Sequence, residues 1–109
     1  MSDDLDLVRG TLDLFILKTL TWGPMHGLAI LRWIEQVTES RLQIEEGALY
    51  PALHRMEEAG WIRAQWITKD TGRRARLYEL TATGKKQLGA EESRWQAVTA
   101  AVNRVLRIA

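Results

Sequence analysis

The chain has 109 residues, 46 % apolar and 27 % charged, with a net charge of +1 and no cysteine. Those values suit one folded domain. They exclude disulfides, thiolate metal sites and cysteine nucleophiles, and so small a net charge does not by itself mark a nucleic-acid binder. No apolar run reaches the roughly 18 residues of a membrane span, and the acidic start Met1-Ser2-Asp3-Asp4 lacks the basic region of a secretory signal. A cytoplasmic protein with no membrane partner is expected.

Asp6 is placed to cap a first helix running to about Thr21. Val8, Leu12, Leu14, Phe15, Ile16, Leu17 and Leu20 are apolar on more than one side of it. A helix of that kind is buried on most sides, which predicts packing against a second chain as well as its own. Gly23-Pro24 marks a turn. A second helix follows from about Met25 to Thr38, with Leu28, Leu31, Ile34 and Val37 or Thr38 inward, widened by Ile30 and Trp33. His26 at its start reads as a residue bonded to a neighbouring backbone group. The other histidine is His54, too few ligands for a metal.

Glu39 to Glu45 is polar apart from Leu42 and Ile44 and reads as a loop, with Ile44 able to staple the next helix. Gly47-Ala48-Leu49-Tyr50-Pro51-Ala52-Leu53-His54-Arg55-Met56 then predicts a third helix. Leu49, Leu53 and Met56 share its core face. Opposite them lie Pro51, His54 and Glu58, flanked by Tyr50 and Arg55. Glu45 and Glu46 favour its positive end, Pro51 falls in or just past the first turn, and Gly60 supplies a left-handed stop.

After Gly60 the period changes to two. Ile62, Ala64 and Trp66 alternate with Arg63, Gln65 and Ile67, Asp70-Thr71-Gly72 turns the chain, and Ala75 to Leu80 alternates again. The result is a hairpin with its tip at Lys69 to Arg74. A lone hairpin is marginal in water, so Trp61, Trp66, Tyr78 and Leu80 are expected to lean on the helices. Between Trp61 and Leu80 the bases Arg63, Lys69, Arg73, Arg74 and Arg76 outnumber the acids Asp70 and Glu79, a local cationic footprint.

Thr81 can cap a last helix running to about Arg107. Leu88, Trp95, Val98, Val102 and Val105 recur along it at gaps that fit one stripe, with Glu91 interrupting. At 1.5 Å per residue the helix is about 40 Å long, while the body before it is roughly 30 Å across. An apolar stripe that outruns its own chain implies a partner, most simply the same helix of a two-fold mate. The whole reads as mainly α with a small β part (α+β): a winged helix-turn-helix over 1–80, with a two-stranded β wing, followed by a C-terminal dimerisation helix over 81–109. No glycine-rich phosphate loop is present, and the acid pairs Glu45-Glu46, Glu57-Glu58 and Glu91-Glu92 diverge on their helices, so an enzyme is not expected and no cofactor is implied.

Five segments, Arg9-Gly10-Thr11-Leu12-Asp13, Gly23-Pro24-Met25-His26-Gly27, Gly47 to Leu53, Glu57-Glu58-Ala59-Gly60-Trp61-Ile62 and Tyr78 to Gly84, resemble the PadR-like transcriptional regulators in register. The chain departs from that pattern at Leu28, where an aromatic is usual, at Trp61, where a small aliphatic is common, and in Arg73-Arg74-Ala75-Arg76, which lacks a proline. The length resembles the short subgroup with one C-terminal helix. The resemblance implies a homodimeric DNA-binding repressor, its third helix in the major groove of double-stranded DNA and its wing on the backbone or minor groove. It also implies release by a small aromatic or hydrophobic effector near the dimer interface, as in some members.

Within that frame the Tyr50 hydroxyl is placed to donate to a phosphate. His54 and Arg55 are placed for base edges, and Lys69, Arg73, Arg74 and Arg76 for phosphates. Leu88, Trp95, Val98, Val102 and Val105 would form the dimer interface. Trp95 either fills the dimer core or stacks on a planar effector. The competing reading is a dimeric ligand-sensing or adaptor module with the same fold that does not touch DNA; the basic wing argues against it.

Overall fold

The computed structural model describes residues 10–108, so the proposed cap at Asp6 lies outside the described residues. Three helices come first: α1 (Thr11–Thr19), continued by a 3-10 turn (Leu20–Trp22), then α2 (Gly27–Val37) and α3 (Glu46–Glu58). The strands β1 (Ile62–Thr68) and β2 (Arg74–Leu80) follow, and α4 (Ala82–Arg107) closes the chain. This is the predicted winged helix-turn-helix order.

The core is built where the helical periods place apolar side chains. Ile16, Leu17 and Leu20 meet Ile30, Leu31 and Ile34 of α2, and Leu49, Ala52, Leu53 and Met56 of α3, with Ile44 closing the loop end. The inner face of α2 is rotated from the expected one. Its buried residues are Gly27, Ile30, Leu31 and Ile34, whereas Leu28 and Val37 are exposed. The 27-30-31-34 set has the i, i+3, i+4, i+7 spacing as well, and Gly27 at its head lets Tyr50 approach: a methyl there would stand 2.9 Å from Tyr50 Cε1.

The strands pair antiparallel, with Ile62 opposite Leu80 and Trp66 opposite Arg76. Gly72 takes φ +84 at the turn, a conformation that needs no Cβ. The free edge of β2 is covered near its base. Met25 and Tyr78 exchange both backbone hydrogen bonds at 2.9 Å, and the His26 ring Nδ1 lies 2.8 Å from the Arg76 carbonyl oxygen. The backbone partner expected for His26 is thus 50 residues away, on the wing.

The base of the hairpin is also joined to α4. Thr81 donates to the carbonyls of Gly60 and Trp61 and accepts from the Gly84 N–H at 3.0 Å, a capping hydrogen bond. A Cβ on Gly84 would fall 1.9 Å from the Trp61 carbonyl oxygen, so only glycine lets the helix start there. Leu88, which its spacing groups with the dimer stripe, is 7 % exposed and belongs to the core of its own chain. Beyond it the stripe emerges: Trp95, Val98, Val102, Val105 and Leu106 are all exposed. Glu91 is accommodated in the stripe by Gln87, whose Nε2 donates to it at 2.9 Å, and by Arg94. Among the described residues no helix is long and apolar enough to cross a membrane.

Candidate nucleic-acid interface

The strand pairing sets the site. Ile62, Ala64, Trp66 and Thr68 alternate on one face of β1, and their partners Leu80, Tyr78, Arg76 and Arg74 share that face. The first two pairs rest on the helices; in the third Trp66 is exposed while Arg76 still reaches Glu57 of α3, and the last, Thr68 with Arg74, overhangs. Trp66, expected to lean on the helices, is instead 56 % exposed. The overhang and the outer side of α3 enclose an open groove of about 440 Å³, lined by His26, Tyr50, His54, Trp66, Lys69 and Arg74. At its floor Arg76 and Tyr78 also contribute.

Five of the seven residues read from the sequence as DNA contacts, Tyr50, His54, Lys69, Arg74 and Arg76, therefore line one groove. Tyr50 reaches it from the first half of α3, beside the start of α2. His54 lies one turn later, its Nε2 3.0 Å from Glu58 Oε1. Lys69 and Arg74 flank the hairpin turn, where the Lys69 N–H donates to the Arg73 carbonyl at 2.8 Å.

Arg55 and Arg76 are committed elsewhere. Arg55 Nη1 and Nη2 donate to Asp13 Oδ2 and Oδ1, both at 2.7 Å. That is the bidentate fork in which a guanidinium binds a carboxylate most strongly. The Asp13 hydrogen bond and charge hold the Arg55 guanidinium in its charged form more firmly than usual, against a desolvation that works the other way. Arg55 sits on the α1 side of α3, away from the groove, so the expected base-edge role gives way to a strap between helices. Arg76 Nη2 donates to both Glu57 oxygens at 2.9 and 2.8 Å, joining the wing to α3. Neither partner carries a local sequence signal, because Asp13 and Arg55 are 42 residues apart and Glu57 and Arg76 are 19 apart.

Among the described residues, no acid or carbonyl takes the side chains of Lys69, Arg73 or Arg74, so their charge remains available to an anion. The Arg74 guanidinium lies over the Trp66 ring at 4.8 Å from its centroid, with Arg76 at 5.5 Å. Trp66 was not among the residues read as a contact, although its place was legible: Trp66 and Arg76 are equidistant from the turn at Thr71. Burial raises the Tyr78 pKa above the ordinary tyrosine value, against a lowering by Arg76.

At the other end, Trp95 borders a separate cavity of about 120 Å³ with Gly10, Thr11, Leu14, Glu91, Arg94 and Val98.

Residues 16–90 match the family model for the transcriptional regulator PadR-like family. A transcriptional regulator from Clostridium thermocellum superposes with a TM-score of 0.84 at 29 % identity, over 92 % of this chain and 97 % of that one. A PadR family transcription regulator from hypervirulent Clostridium difficile gives 0.74 at 30 % identity, over 89 % and 99 % of the two chains. A protein from Lysinibacillus sphaericus is 30 % identical over 93 residues, 85 % of each chain.

Proposed function

The chain belongs to the PadR-like family of transcriptional regulators, and from that premise we propose that it is a homodimeric repressor that binds a two-fold-related operator in the cytoplasm. The observation that carries the proposal is the groove between α3 and the wing. It sets Tyr50 and His54 of one element against Lys69 and Arg74 of another, with the two wing cations unpaired among the described residues. Phosphates would meet Lys69, Arg73, Arg74 and the Tyr50 hydroxyl; His54 would face base edges from the exposed side of α3. Residues 1–80 form the reading unit, and α4 serves the partner copy as well as its own chain. Its exposed Trp95, Val98, Val102 and Val105 form the apolar stripe that a two-fold mate would cover. An aromatic effector would bind at Trp95, in a slot that both protomers complete.

Selection of bound duplexes from a random pool by the purified protein tests the reading. Enrichment of two related half-sites is expected, with affinity falling steeply as salt rises. Failure to bind any duplex even at low salt would overturn DNA binding and favour a ligand-sensing adaptor. Sedimentation as a monomer at all working concentrations would overturn the two-fold assembly.

A further inference from the structure

The wing carries two arginines two residues apart on the same face, and the structure treats them differently. Arg76 is held by both oxygens of Glu57 on α3. Arg74 has no such partner among the described residues; what it has is the flat face of Trp66, 4.8 Å from its guanidinium carbon to the ring centroid. Trp66 itself is more than half exposed at the mouth of the groove, so its large apolar area is poorly explained as core. A ring under a guanidinium attracts it and restricts it to a plane, while leaving the N–H edge of the fork unused. The neighbouring Arg76 lies over the same ring at 5.5 Å and over Tyr78 at 5.6 Å. Glu57, Arg76, Trp66 and Arg74 thus make a chain of contacts from α3 to the tip.

We infer that Trp66 is a positioning residue: it holds the Arg74 guanidinium flat at the mouth of the groove, its N–H edge aimed at the phosphate backbone of the bound duplex. Arg76 is the tether that fixes the ring relative to α3, not itself a phosphate contact. The inference rests on the proposed DNA-binding function and goes beyond it by assigning separate tasks to Trp66, Arg74 and Arg76.

A double-mutant cycle with one duplex at fixed salt tests it. Holding a long side chain by a partly exposed cation–π contact is worth two- to fivefold in affinity. Trp66→Leu is therefore expected to weaken binding two- to fivefold in the wild-type background and not at all in the Arg74→Ala background. Trp66→Phe should keep most of the affinity, and neither variant should shift the melting temperature of so exposed a site by more than a degree or two. In the free protein, the Arg74 side-chain protons should show an upfield ring-current shift that Trp66→Leu abolishes and Trp66→Phe retains. Equal losses in both backgrounds, or none in either, would overturn the inference while leaving DNA binding intact. So would an Arg74 signal that does not respond to Trp66→Leu. If the wild-type chain binds no duplex, the proposed function and this inference fall together.

Discussion

At the base of the hairpin Ile62 is 1 % exposed and Tyr78 4 %, while nearer the tip Trp66 is 56 % exposed, although all three lie on one face of the same two strands. Alternation is equally regular along both halves. The base sits on helices, is paired at its edge by Met25 and is pinned to α4 through Thr81 and Gly84. The tip projects past the helices, and Lys69, Arg73 and Arg74 keep their charge unpaired among the described residues. A period-two pattern says which residues share a face; only the length of the supporting layer says where that face stops being core. In a wing the strands outlast their support, and the surplus is where contact chemistry collects.

The comparison can be broken first at the base. Gly84→Ala would drive a methyl into the Trp61 backbone carbonyl, which cannot swing aside as a side chain would, and should cost about 3 kcal/mol, lowering the melting temperature by more than about 10 °C. A melt within about 2 °C of wild type would mean that the junction yields easily. Next comes the strap. Asp13 has a side chain 12 % exposed and Arg55 one 57 % exposed, so removing the arginine strands a buried carboxylate, whereas removing the acid returns an arginine to water. Arg55→Ala should cost about 2 kcal/mol and Asp13→Ala about 1, the order being readable from urea midpoints. Equal costs would show the strap to be as solvated as the tip.

The tip should behave in the opposite way. Replacing Arg73 and Arg74 together by Ala is expected to change stability by less than about 0.5 kcal/mol. The same change should weaken all duplex sequences alike and lower the slope of log affinity against log salt by about 2. A large loss of stability would erase the distinction between the halves. Smallest is an alkaline effect at the base. Because burial raises the Tyr78 pKa in the folded chain, the unfolded chain loses its proton first. The contribution to stability is complete below pH 10.0, the ordinary tyrosine value, and declines as pH rises through the folded value. Tyr78→Phe should remove that decline; identical wild-type and variant slopes between pH 9 and 11 would contradict it.

Much of this was legible in the amino-acid order, for reasons that differ by element. Leu49, Leu53 and Met56 identified the inner face of α3 because the core selects helical spacing. Thr81 announced α4 because a hydroxyl before a helix meets a free N–H. Gly72 located the turn because its φ is positive. The misplacements share another cause. Two overlapping apolar sets on α2, one through Leu28 and one through Ile30, are both periodic, and the choice falls to what α1 and α3 bring against the helix, Tyr50 resting on Gly27 included. Leu88 and Trp95 fall on one stripe, yet Leu88 is buried in the core while Trp95 stays exposed at its margin. Arg55 and Arg76 resembled free cations because their carboxylates come from distant segments. The candidate groove was therefore readable as a set of residues, but not as a division between those that hold the frame and those left to face a ligand.

The junction at Gly84 has a mechanical consequence. With the first turn of α4 lodged against the wing base, Leu88 in the core, and Trp95 and Val98 bordering a cavity with Gly10, Thr11 and Leu14, the exposed segment past Val98 ends at Arg107 about 14 Å further along the axis. A tilt of about 10° of that segment carries its far end through about 2 Å. Whatever grips that end therefore pulls on a helix seated against both α1 and the base of the hairpin.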